Sequence, residues 1–140
     1  MSVGFVHRVR PRYAEVDAQG VVFNAHWLTY FDEACTRFFE ARGFDPATAF
    51  FTDFDVMVVK AVVEWQGPAG FDDRVDIAVD TARLGTKSLD VRYEASVGGR
   101  PVCEATITYV SVKPGTHEST GIPEGVRAKL QPGVARPAGG

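Results

Sequence analysis

The sequence predicts an α+β fold in which a curved antiparallel sheet of about five strands is wrapped around one long helix. Three observations support this prediction. One long stretch carries apolar residues at spacings of three and four, one strand-like segment precedes it, and four strand-like segments follow it. A helix with a single apolar stripe must bury that stripe, and a curled sheet can cover it. The 140 residues are the usual size of one domain.

The first strand is predicted over Phe5–Tyr13, and a turn-like stretch ending at Gly20 follows it. Asn24 is predicted to be the N-cap of the long helix, which begins at Ala25 and has a length of roughly 18 residues, or ~27 Å. Gly43 is predicted to end it. The predicted apolar stripe consists of Leu28, Phe31, Cys35, Phe38 and Ala41.

Four further strands are predicted after the helix and a single short turn at Ala47–Phe51. Val56–Trp65 is apolar on both faces, which predicts a strand that is covered on both sides. Val75–Val79 and Leu89–Val97 alternate between apolar and polar residues, as half-buried strands do. Val102–Val112, rich in Val, Thr and Ile, is predicted to be the last strand.

The chain is predicted to form one domain over residues 1–113. Beyond Lys113 the prolines and glycines become frequent, so we predict a loose, partly disordered tail over residues 114–140.

Composition narrows the possible functions. The formal net charge is −3 and there is no basic tract, so nucleic-acid binding is not expected. No apolar run approaches the ~20 residues that a membrane span requires, and the N-terminus lacks a secretory pattern. The two cysteines, Cys35 and Cys103, are far apart in sequence. They are expected to be buried thiols in a cytoplasmic setting.

An aspartate lies just before the predicted helix. Free N–H groups at a helix start attract negative charge and can polarise a carbonyl group. A carboxylate such as Asp17, a few residues upstream, could act on that carbonyl as nucleophile or general base. Gly20 would allow a substrate to approach the backbone closely. This combination suits thioester hydrolysis, although Asp17 could also be a turn-forming or capping residue.

The segment RYAEVDAQGVVFNAHW at residues 12–27 resembles the start of the long helix in 4-hydroxybenzoyl-CoA thioesterases and YbgC-type acyl-CoA thioesterases. The resemblance continues in Phe71-Asp72-Asp73 and in the segment 85–89, and it covers about residues 7–113. It implies a hot-dog fold. It also implies homodimers whose sheets join edge to edge, often paired into homotetramers, with active sites at the dimer interface.

The resemblance also implies roles for individual residues. Asp17 matches the catalytic carboxylate of the family, and the backbone amide of Asn24 matches the group that binds the thioester carbonyl. Lys87, with Thr86 and Ser88 beside it, falls where family members contact the phosphates of coenzyme A. Lysine can pair with phosphate, but a lysine in a turn can also be merely solvated.

The chain departs from the YbgC pattern at Phe23-Asn24, where those proteins usually carry Tyr-His. His26 lies two residues later and could partly substitute, or it could be a helix-start residue at a subunit interface. Trp27 is assigned either to the substrate site or to the core.

Several other residues have side chains that can carry chemistry. Glu64 is kept as a reserve carboxylate, because some hot-dog enzymes draw a catalytic glutamate from another element; a paired charge on the strand is the alternative. Cys35 lies on the apolar stripe without a base at suitable spacing, so core packing is expected. His7 and His117 indicate no metal site.

The predicted function is hydrolysis of an acyl-CoA, or of an acyl carrier protein thioester, to a carboxylic acid and a free thiol, without a cofactor. Two alternatives remain open. One is a non-catalytic acyl-thioester binding module. The other is a hydratase or dehydratase of the same fold, which pairs the aspartate with a histidine in an Asp-x4-His arrangement; here Val22 occupies that position.

Overall fold

The structure is a computed structural model that describes residues 5–45 and 54–133. The predicted turn at Ala47–Phe51 and the last part of the predicted tail, residues 134–140, lie outside these ranges. No helix in the described ranges has the length and apolar character to cross a membrane. The elements are β1 (Phe5–Val9), a 3₁₀ turn (Tyr13–Glu15), α1 (His26–Ala41), β2 (Asp55–Trp65), β3 (Val75–Leu84), β4 (Ser88–Val97), β5 (Arg100–Val112) and α2 (Glu124–Lys129).

The five strands form one sheet in the order β1-β3-β4-β5-β2, and every neighbouring pair is antiparallel. The sheet is open, with β1 and β2 at its two edges. The predicted fold class, a five-stranded antiparallel sheet with one long helix, is therefore confirmed.

The core lies between α1 and the inner face of the sheet. Apolar side chains alternate with polar ones along β3, β4 and β5, and the apolar set is buried against the helix. Leu28, which was predicted to lie on the buried stripe, is 44% exposed. The stripe is shifted because the bulkier aromatic residues one position away bury more apolar area. The buried face of α1 consists of Trp27, Tyr30, Phe31, Ala34, Cys35, Phe38 and Phe39.

The helix starts one residue later than predicted, at His26. Ala25 is the N-cap residue, and no side chain caps the helix there. Asn24 lies in the turn before it, so the prediction that Asn24 is the N-cap was wrong. At the other end, Gly43 follows the C-cap residue Arg42 with φ +95°, a conformation that favours glycine. The predicted helix end is confirmed.

Strand β2 is an edge strand, bonded only to β5. The prediction that it is covered on both sides was wrong for a single chain, since Val58, Val59 and Val62 are all more than half exposed. A register shift between Val58 and Lys60 interrupts its pairing with β5. A long apolar edge is thus left open.

The described part of the predicted tail packs on the domain. Ser119 bridges to Val112 at the end of β5, and α2 follows. Ile122, Val126 and Leu130 are buried in the core cluster. The division of the chain at residue 113 stays a prediction.

Candidate active site

A tight turn before α1 holds Asp17. The Asp17 N–H donates to the carbonyl of Val21 at 2.8 Å, and the Gly20 N–H donates to the carbonyl of Asp17 at 2.9 Å. The Asp17 carboxylate accepts from the backbone N–H of Gln19 at 2.8 Å through Oδ1. Gly20 has φ +78°, which a residue with a side chain rarely adopts. Asp17 is therefore a turn-forming residue, as the alternative interpretation expected, yet Oδ2 accepts no hydrogen bond from the described residues.

A second loop, between β2 and β3, supports this turn. The Val22 N–H donates to the carbonyl of Ala69 at 2.8 Å, and Val21 forms an isolated bridge with Gly70. Gly70 is itself held by the carboxylate of Asp73, which accepts from its N–H at 2.7 Å. The site is built from two mutually bonded loops.

The start of α1 leaves backbone donors free. The His26 N–H is used, since it donates to the carbonyl of Phe23 at 2.9 Å. The N–H groups of Asn24 and Ala25 donate to no acceptor within the described residues. Because the helix dipole adds positive potential there, these two groups are suited to an electron-rich oxygen.

Asp17 and Asn24 line one open cleft of about 590 Å³. Trp27, which is 2% exposed, forms part of its wall from the helix side. Trp65, at the end of β2, forms another part and donates its indole N–H to the carbonyl of Asn24 at 3.4 Å. The remaining lining comes from Val21, Val22, Phe23 and the loop Gln66-Gly67-Pro68-Ala69. The structure thus brings the predicted carboxylate and the predicted amide together, although their chemical roles stay predictions.

A carboxylate that the sequence analysis did not single out ties this turn to the helix. Glu15 accepts from the hydroxyl of Tyr30 at 2.9 Å, from the Arg12 backbone N–H at 2.8 Å and from the Arg12 guanidinium at 3.0 Å. Its carbonyl accepts from the Phe23 N–H at 3.0 Å. Burial alone would raise the pKa of Glu15, but the hydrogen bonds from Arg12 and Tyr30 outweigh it and lower the pKa.

His26 is half-buried at the first position of α1, with its ring edge-on to Phe23 at 5.9 Å between centroids. It does not line the cleft of Asp17. Trp27 does, and it also packs against the rings of Tyr30 and Phe31. Both interpretations of Trp27, core and cleft, therefore hold.

The predicted phosphate-binding turn lies at the other end of the sheet. Thr86 and Lys87 are exposed between β3 and β4, and the Ser88 hydroxyl accepts from Arg83 at 2.9 Å. The loop beside Asp17 lies next to the start of β3, and the turn of Lys87 follows its end. Ten residues of strand, or ~30 Å, separate them. Within one chain the two parts of the predicted site do not meet.

Glu64, Cys35 and His7 do not line the cleft of Asp17. Glu64 is exposed and stands opposite Glu104 across the β2–β5 pair. Cys35 is buried, and its burial raises the pKa of the thiol to about 11, so it is protonated near neutral pH. His7 contacts Glu33 at 3.1 Å. Over residues 5–45 and 54–133, no cluster of His, Cys, Asp and Glu side chains is arranged to hold a metal ion.

Comparison with known proteins adds a family match. Residues 11–130 match the sequence model of the Thioesterase-like superfamily. The 1,4-dihydroxy-2-naphthoyl-CoA hydrolase of Synechococcus elongatus is 28% identical over 123 residues, covering 86% of this chain and 90% of that protein. The acyl-CoA thioester hydrolase YbgC of Shigella flexneri is 25% identical over 124 residues, covering 88% of this chain and 92% of that protein.

Solved structures agree on the fold. A protein from Aquifex aeolicus superposes with a TM-score of 0.84 at 26% identity, over 91% of this chain and 99% of the other. A gentisyl-coenzyme A thioesterase superposes with a TM-score of 0.80 at 25% identity, over 90% of this chain and 98% of the other.

Proposed function

This chain belongs to the Thioesterase-like superfamily, and we propose that it hydrolyses an acyl-CoA thioester to a carboxylic acid and free CoA. The assignment to a thioesterase family made from residues 12–27 is confirmed. One observation carries the proposed reaction: Asp17, whose carboxylate has a free oxygen, and Asn24, whose N–H is unpaired within the described residues, line the same cleft. Two relatives are named as hydrolases of CoA thioesters, which supports the choice of substrate class.

The free amides supply carbonyl activation. The thioester oxygen would accept a hydrogen bond from the N–H of Asn24, with the N–H of Ala25 beside it. Such donors are already in place before charge develops on the oxygen, so they stabilise the tetrahedral intermediate more than the substrate. CoA leaves as a thiolate, which is a better leaving group than an alkoxide or an amide anion because thiols are the stronger acids, so the reaction needs no strong general acid.

Asp17 supplies the attacking oxygen by one of two routes. As general base it would take a proton from a water molecule, whose oxygen then attacks the carbonyl carbon. As nucleophile its Oδ2 would itself attack, giving an acyl-aspartate anhydride that water hydrolyses afterwards. After a single turnover in ¹⁸O-labelled water, label in the Asp17 carboxylate would identify the nucleophile route with water attacking the aspartyl carbon, because the base route never places label there. An acyl adduct on Asp17 in the rapidly quenched protein would identify the nucleophile route whichever carbon water attacks.

The open edge of β2 supports a homodimer as part of this proposal. Two copies of β2 pairing antiparallel would continue the sheet across a two-fold axis and cover Val58, Val59 and Val62. That axis would put the Lys87 end of one sheet beside the Asp17 end of the other, about three strand spacings away, or ~14 Å. Lys87 of the partner subunit could then contact the CoA phosphates. Further pairing into tetramers stays a prediction.

A cytoplasmic location also belongs to the proposal. It is supported by Cys35 and Cys103, which are both buried and free rather than joined in a disulfide.

The test is release of free thiol, followed with DTNB, from a panel of acyl-CoAs by the wild-type protein and by Asp17→Asn. Asparagine retains an oxygen that can accept from the Gln19 N–H, so the turn is preserved while the carboxylate is lost. We expect turnover by the wild type and its loss in the variant. Full activity in Asp17→Asn would overturn the role of Asp17. Binding without turnover across the panel would instead indicate an acyl-thioester binding module.

A further inference from the structure

Trp65 is a large aromatic residue left open to solvent at the last position of β2. It is 56% exposed, whereas Trp27, the only other tryptophan of the chain, is 2% exposed. The position at the end of an edge strand does not explain why an exposed tryptophan is present, since a polar residue could end the strand at no cost in packing.

The side chain of Trp65 points toward the helix layer. Residues two apart on a strand share a face, and Val63 on that face packs against the core. The indole N–H of Trp65 donates to the carbonyl of Asn24 at 3.4 Å, which directs the ring over the cleft of Asp17. Pairing of β2 with a second copy would use its backbone edge and leave this face toward the cleft.

The loop that follows Trp65 is firmly held. The N–H groups of Gln66 and Gly67 both donate to the carbonyl of Val102, at 2.9 and 3.2 Å, and the Arg100 guanidinium donates to the carbonyl of Pro68 at 3.0 Å. The indole therefore stands on a fixed support, as a preformed ligand-binding wall does.

The geometry of the proposed reaction indicates which part of the substrate lies against this wall. When the thioester carbonyl accepts from the Asn24 N–H, the acyl chain begins within the cleft that both tryptophans line. An indole with one polar edge engaged presents its apolar face to whatever fills the cleft. Resting on the proposed thioesterase activity, we propose that Trp65 packs against the acyl group of the substrate and sets the preference for acyl chain length.

Kinetics on a series of straight-chain acyl-CoAs test this proposal, because only the acyl group changes along the series. In the wild type, kcat/KM should rise by up to ~4-fold per methylene while the chain still contacts the ring. Trp65→Ala should flatten this rise, so that its loss relative to wild type grows from acetyl-CoA to tenfold or more on longer chains. Trp65→Phe should retain most of it.

Phe71→Ala is the matched control. Phe71 is 57% exposed, is also aromatic and lies on the neighbouring loop, but it does not line the cleft. It should leave the chain-length dependence unchanged. An equal loss for every acyl-CoA in Trp65→Ala would indicate contact with the CoA portion or an effect through Asn24, and it would overturn the proposal.

A binding measurement separates this proposal from the proposed function. Non-hydrolysable S-alkyl-CoA thioethers should change the tryptophan fluorescence of the wild type, increasingly with chain length. Because Trp27 also lines the cleft, a smaller change should remain in Trp65→Phe, but its increase with chain length should be largely lost. If acyl-CoAs are hydrolysed but the fluorescence does not respond, the role of Trp65 is wrong and the function stands. If the fluorescence responds but nothing is hydrolysed, the thioesterase function fails and the contact stands.

Discussion

The two ends of α1 differ in how their backbone groups are satisfied. At the N-terminal end, no side chain caps the helix, and the Asn24 and Ala25 N–H groups have no acceptor within the described residues. At the C-terminal end, Arg42 donates its backbone N–H to the carbonyls of Phe38 and Phe39, at 3.1 and 3.0 Å, and Gly43 donates to Glu40 at 3.0 Å.

The Arg42 side chain strengthens this contrast. Its guanidinium, only 6% exposed, contacts Asp80 at 3.1 Å and donates to the carbonyls of Lys129 and Gln131, at 3.0 and 3.1 Å. It also lies 4.7 Å from the centre of the Phe38 ring. A cation at this end interacts favourably with the helix dipole and stabilises the helix. One end of the helix therefore contributes to stability, and the other keeps its donors available for a ligand.

The largest effect is expected at the N-terminal end of α1, where the backbone donors are free. Asp17→Asn should lower kcat by ~10²–10⁴-fold, the range that a general base contributes. The free energy of unfolding should stay within about 0.5 kcal/mol of the wild type, because the turn keeps its hydrogen bonds. Thiol release and urea unfolding of the same preparations check both parts. A variant that is both inactive and clearly less stable would contradict the division between the two ends.

The C-terminal end of α1 should give the opposite result, a loss of stability without a loss of activity. Arg42→Met should lower the free energy of unfolding by about 2–3 kcal/mol, because it removes the cationic partner of Asp80 and the donor to two carbonyl groups. At 25 °C kcat should stay within twofold. Arg37→Met is the control, since Arg37 is an exposed arginine of the same helix paired with Glu40; it should cost less than about 0.5 kcal/mol. A loss of activity that exceeds the loss of folded protein would count against this assignment.

The turn that holds Lys87 tests the proposed homodimeric site. Lys87→Ala should raise KM for acyl-CoA by ~10-fold, the effect of losing one charge-assisted contact to phosphate. The same acyl group on pantetheine, which lacks the nucleotide phosphates, should show no difference between variant and wild type. Lys113→Ala is the control at the same end of the sheet. An equal KM change for both substrates would rule out phosphate contact.

The smallest effect concerns the link between turn and helix. Tyr30→Phe removes the hydroxyl that donates to Glu15, and it should cost about 1 kcal/mol with a several-fold lower kcat. The pKa of Glu15 is lowered in the folded protein. Its contribution to stability is therefore present at pH values above its unfolded pKa, and it is lost as the pH falls through the folded value.

The pH dependence of stability between pH 3 and 7 checks that link. Without the Tyr30 hydroxyl the Glu15 pKa should rise toward its ordinary value, so Tyr30→Phe should lose stability at a higher pH than the wild type. Coincident acid transitions of the two proteins would show that the hydroxyl does not stabilise the carboxylate.

The sequence predicted those parts of the fold that depend on local pattern. Alternation located β3, β4 and β5, and Gly43 located the end of α1, because these signals act over a few residues. The sequence also singled out Asp17 and Gly20, which lie in the turn just before the helix, and the resemblance to the thioesterase family singled out the Asn24 amide.

Other features depend on contacts between distant residues. The indole of Trp65 bonds to Asn24, which lies 41 positions earlier in the chain. The carboxylate of Glu15 bonds to Tyr30, which lies 15 positions later. Leu28 looked buried by spacing alone, since two stripes one position apart have similar periodicity. The apolar character of β2 predicted a strand that is covered on both sides, but in the described chain its valines are exposed, because an edge strand has a partner on one side only.

The position of β2 in the sheet has a consequence for how the chain folds. Its partner is β5, so residues 55–65 must wait for residues 100–112 before they can pair. During synthesis an apolar, valine-rich segment is exposed while the rest of the sheet is still being made, and such segments are prone to aggregate. Lys60, next to the register shift of the strand, places a charge in the middle of that segment, where it disfavours aggregation of unfolded chains before β5 is made.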